Sequence, residues 1–104
     1  MDELMNDGIL KTLREEIQEA VGAPAILEGL AEEAIELAHA ALKTARILRG
    51  ENPTDARYEN AWAAMTEEFT DLAIYSHILG LSIDYDLYCG KKERMVERIR
   101  EAKA

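Results

Sequence analysis

Three breaks bearing glycine or proline, at Gly22 to Pro24, Gly50 to Pro53 and Gly80 to Ser82, divide the chain into four segments of helical composition. They predict helices running approximately from Asp2 to Val21, Pro24 to Arg49, Pro53 to Leu79 and Ile83 to Lys103. In the second segment Leu27, Leu30, Ala34, Leu37, Ala41, Ala45 and Leu48 fall three or four residues apart, the spacing of a single helical stripe. Tyr58, Trp62, Met65, Phe69, Leu72 and Leu79 keep the same rhythm in the third. Asn52 before Pro53 fits an N-cap followed by proline at the first helical position, and Ser82 or Asp84 can cap the last helix. Stretches of alternating apolar and polar residues joined by turn pairs are absent, so no β-hairpin is expected. Helices of this length measure about 30 to 40 Å, the proportions of an antiparallel bundle. The expected fold is all-α, one domain over residues 1–104 built as an antiparallel four-helix bundle. Gly29 and Gly90 interrupt good helical sequence, each at about 1 kcal/mol relative to alanine, and can permit close backbone approach.

An apolar fraction of 48% in 104 residues supports a packed core. The net charge of -9 opposes attachment to a nucleic acid polymer or an anionic membrane surface. No apolar run approaches the roughly 20 residues that span a bilayer, and the first residues lack the basic flank and apolar centre of a secretory signal. A cytoplasmic location is therefore expected. Cys89, His39 and His77 are too few soft ligands for a structural zinc site, and Cys89 reads as a small buried or half-buried residue.

Charge is distributed unevenly along the helices. The second segment holds Glu32, Glu33 and Glu36, and the third holds Glu67, Glu68 and Asp71. Carboxylates three or four apart on a helix are neighbours that repel, and neither cluster has a lysine or arginine three or four residues beyond its leading acids. Projected at 100° per residue, Glu68 falls among Ala61, Leu72 and Leu79, with Tyr75 to one side, and so points towards the core. Glu33 flanks the apolar stripe of its own helix. A lone buried carboxylate costs several kcal/mol, so two such clusters on facing helices make sense around a cation. Oxygen-only ligands on rigid helices suit Mg²⁺, or Mn²⁺, better than zinc or copper. Acid-rich faces are more often simply solvated, but two matched clusters at mid-helix, one in an apolar sector, weigh against that reading.

The last segment is the reverse. Lys91, Lys92, Arg94, Arg98, Arg100 and Lys103 face only Glu93, Glu97 and Glu101 over residues 91–103, a net of +3 that leaves -12 for the first 90 residues. Bases near a helix C-terminus are favoured by its dipole and explain part of this. An acidic metal site beside a basic helix is also what a polyphosphate requires, the metal bridging oxygens and the bases taking the remaining charge.

At these residues the chain resembles the MazG-like all-α nucleoside triphosphate pyrophosphohydrolases, whose signature is EExxE on one helix and ExxD on the next. Here it reads Glu32-Glu33-x-x-Glu36 and Glu68-x-x-Asp71, within a similarity extending from about Gly22 to Arg98. The resemblance implies Mg²⁺ held by Glu33, Glu36, Glu68 and Asp71, with Glu32 orienting or deprotonating water. It also implies phosphate contacts from Lys91 or Lys92 with Arg94 or Arg98, and release of pyrophosphate and a nucleoside monophosphate. A homodimer or homotetramer is implied as well, with the sites at or near helix interfaces. The 31 residues between Glu36 and Glu68 are more than the family pattern expects, through either an extended helix pairing or an enlarged loop around Gly50 to Asp55. Tyr58, Trp62 and Tyr75 could stack on a base, though their helical spacing favours the core. His39 reads as a surface residue.

A ferritin-like di-iron bundle needs a second Glu-x-x-His element beside Glu36-x-x-His39, and Ile74 stands where its glutamate would be. The stretch from Arg14 to Gly22 resembles part of a Nudix box but lacks its upstream glycine and glutamate, and that fold needs strands. A G-x-x-x-x-G-K-[ST] phosphate loop is absent. The competing reading from another class is a non-catalytic helical module that binds nucleotides or a protein partner.

Overall fold

The computed structural model describes residues 14–51 and 57–104. Residues 14–21 are helical (α1), followed by α2 (Ala23–Leu48), α3 (Tyr58–Leu79) and α4 (Tyr85–Lys103). The described residues contain four helices and no strand. None of these helices is long and apolar enough to cross a membrane.

Each break acts through its glycine or a polar cap. Gly22 separates α1 from α2 with φ of 88°, and the following Pro24 sits in the first turn of α2, where its missing N–H costs nothing. Gly80 ends α3 at φ 75°, where its own N–H donates to the His77 carbonyl and Leu81 N–H reaches back to the Ser76 carbonyl at 2.9 Å. Gly50 closes α2 in the same manner. Of the two caps open to α4, the structure uses Asp84, whose Oδ1 accepts from Leu87 N–H at 3.0 Å. The expected start of α3 at Pro53 is corrected: Arg57 is extended, so the helix begins at Tyr58. Asn52 and Pro53 themselves, and most of the predicted first helix, lie outside the described residues.

The tertiary core is the pairing of α2 with α3, the one pair among α2, α3 and α4 in close backbone contact. Gly29 meets Tyr75 and Glu33 meets Glu68 and Asp71, so position rises along α2 as it falls along α3 and the two run antiparallel. Buried Ile26, Gly29 and Thr44 mark the inner face of α2, with Leu30, Glu33, Leu37 and Ala40 half-buried between them and Ala45 and Ile47 half-buried beyond. This corrects the predicted stripe. Leu27, Ala34, Ala41 and Leu48 keep helical spacing but are exposed, because apolar residues occupy more than one face of α2 and periodicity alone does not say which one is covered. On α3 the inner face is Ala61, Met65, Glu68, Leu72, Tyr75 and Ile78. Tyr58 and Trp62, whose spacing favoured the core, stand outside it as a tilted ring pair 5.9 Å apart, and Phe69 is exposed too. Buried Thr44 satisfies its hydroxyl locally by donating to the Ala40 carbonyl at 2.8 Å.

α1 is tied to the far end of α3. Arg14 Nε and Gln18 Nε2 both donate to the Ile78 carbonyl, at 3.1 and 2.5 Å, supplying two donors to a helix C-terminus that carries partial negative charge. Beside this clamp, Ile17, Ala73, Ile74 and Ile78 line an apolar groove. α4 stands apart: it makes no close backbone contact with α2 or α3, and none of its residues is buried.

Candidate metal centre

The carboxylates of Glu33 on α2 and of Glu68 and Asp71 on α3 converge at the middle of the helix pair. One oxygen from each lies within 4.8 Å of the others, and all three side chains are half-buried. The antiparallel register produces this convergence. Glu68 and Asp71, three apart, share a face of α3, and the pairing that sets Gly29 opposite Tyr75 carries Glu33, one turn on, to that face. The long spacing between the two motifs is taken up mainly by helix, since α2 continues for twelve residues beyond Glu36 and α3 begins ten before Glu68.

Electrostatics disfavour the charged form of Glu68. Desolvation raises its pKa above the ordinary 4.5, and the charges of Asp71, Glu36, Glu33 and Glu67 raise it further. Among the described residues, every charge acting on it is an acid. The donor set of three carboxylate oxygens on two packed helices fits a hard divalent cation.

The remaining predicted site residues are placed as follows. Glu36 is exposed and lies outside the group of three, although its charge reaches Glu68. Glu32 is exposed on α2 beside Glu33. Lys91, Lys92, Arg94 and Arg98 are all exposed on α4, so a single chain does not bring its basic helix against the carboxylates. Lys91, Arg94 and Arg98 share one crevice of α4 with Met95, whereas Lys92 sits over the Tyr88 ring, 5.7 Å from its centre. Tyr75 is half-buried against Gly29, His39 is exposed, and Cys89 is half-buried. Gly90 has nothing within 4 Å of where a Cβ would stand, so the close approach considered for it does not occur among the described residues.

The sequence gives Arg14 and Gln18 no role in holding α3, yet both anchor its C-terminal end. Their spacing of four was the available signal, but it is common on any exposed helix. Compared with protein-family models, with curated proteins and with solved structures, the chain matches none.

Proposed function

We propose that the chain is a Mg²⁺-dependent nucleoside triphosphate pyrophosphohydrolase of MazG-like type, acting as a homodimer or homotetramer. The observation that carries this reading is the convergence of Glu33, Glu68 and Asp71, from the EExxE and ExxD motifs, around one uncompensated cluster of negative charge. When bound there, Mg²⁺ supplies positive charge to the triphosphate oxygens and lowers the pKa of coordinated water. Glu33, Glu68 and Asp71 would hold the ion, and Glu36, exposed one turn further along α2, would serve as the fourth ligand.

In this reading Glu32 accepts the proton of the attacking water, whose oxygen joins phosphorus. The α-β P–O bond breaks, and its electron pair leaves with pyrophosphate. Lys91, Arg94 and Arg98, together on one face of α4, supply the charge that balances the phosphates, and Lys92 adds to the same basic helix.

The test is pyrophosphate release across a panel of ribo-, deoxyribo- and oxidised nucleoside triphosphates, with and without Mg²⁺, for wild type, Glu33→Gln and Glu36→Gln. Magnesium-dependent release, reduced about a hundredfold or more by Glu33→Gln, is expected. A folded, Mg²⁺-binding protein without turnover would transfer the reading to a non-catalytic nucleotide-binding module.

A further inference from the structure

α4 is a 19-residue helix with a formed N-cap, yet none of its residues is buried, and Leu87, Val96 and Ile99 are exposed along it. Most helical stability in proteins comes from tertiary packing of an apolar face rather than from propensity.

Charge identifies the occupant. α4 carries six bases against four acids, while α2 and α3 together carry eight acids against two bases. The acidic pair also leaves Leu27, Ile35 and Leu42 exposed on α2, and Trp62 and Phe69 on α3. We infer that α4 of one copy docks on the acidic α2–α3 pair of a second copy, and the second copy's α4 on the first, in a reciprocal exchange. A two-fold arrangement satisfies both surfaces at once and leaves none open for further growth. This rests on the homo-oligomer part of the proposed function and deepens it.

Full-length chains carrying complementary charge reversals test the exchange. One carries Arg94→Glu and Arg98→Glu on α4, the other Glu32→Lys and Glu67→Lys on the helix pair; all four positions are exposed, and circular dichroism checks that helicity is kept. Light scattering after size exclusion should find wild type dimeric or larger and each variant alone weakened by roughly tenfold or more. An equimolar mixture should recover association, because both contacts of the mixed pair are then matched. A monomeric wild type would overturn this inference and the homo-oligomer reading together. An oligomeric wild type whose α4 variant associates equally well, or variants that weaken alone but fail to recover on mixing, would overturn the α4 exchange and leave the oligomer standing.

Discussion

Tyr75 lies across Gly29, so close that a Cβ at Gly29 would stand 2.3 Å from Cε1 of the ring and 2.9 Å from its hydroxyl. The glycine lets α2 and α3 approach one turn from Glu33, and the ring fills the space a side chain would take. The carboxylate convergence therefore rests on a packing contact outside the motifs themselves.

Gly29→Ala sets two effects against each other. Helix propensity favours alanine by about 1 kcal/mol, but displacing the ring is overpacking, at about 1 to 3 kcal/mol. The expected net is a loss of about 1 kcal/mol, lowering the melting temperature by about 5 °C. Adding Tyr75→Ala should make the alanine at position 29 favourable, a coupling that a double-mutant cycle measures. Gly90→Ala, with open space around it, should stabilise by about 1 kcal/mol.

The acid cluster should oppose folding when no divalent ion is bound. A carboxyl whose folded-state pKa is raised contributes stability that is present below its unfolded value of 4.5 and is lost as pH rises through the higher folded value. In EDTA the melting temperature of wild type should fall over that interval, and Glu68→Gln should flatten the fall and raise stability at neutral pH. Added Mg²⁺ at a hundred times its dissociation constant should stabilise wild type by about 2.7 kcal/mol and Glu68→Gln by much less. A Glu68→Gln protein less stable than wild type in EDTA would count against the repulsive cluster.

Arg14→Ala removes one of the two donors to the Ile78 carbonyl and should cost about 1 kcal/mol. Removing Gln18 as well leaves that carbonyl without either side chain and should cost more than twice as much. Amide exchange should locate the loss at the end of α3 and in residues 14–21, with the middle of the α2–α3 pair little changed.

Asp84→Ala deletes the α4 cap, worth about 1 kcal/mol to that helix. In dilute protein, amide exchange should accelerate over the first turns of α4 while the melting of the α2–α3 pair is unaltered, because the two share no close backbone contact. Exchange in α4 that slows with protein concentration would be the expected signature of docking between copies.

The local signals were legible in the sequence. Glycine-bearing breaks, an aspartate before the last helix and helical periodicity determine four helices, because caps and left-handed turns depend on residues a few positions apart. The inward placement of Glu68 could be read in the same way, from neighbours on one helix. What only the tertiary structure decided is which of several apolar faces is covered. Leu27, Trp62 and Phe69 have the spacing of core residues and are exposed, while Gly29, Glu33 and Thr44 lie on the contact face. Periodicity reports that a face exists, whereas its partner and register come from packing between residues some forty positions apart, Gly29 against Tyr75 among them. The same register selects Glu33, Glu68 and Asp71 from six acids of equal chemistry and leaves the bases of α4 away from them within one chain.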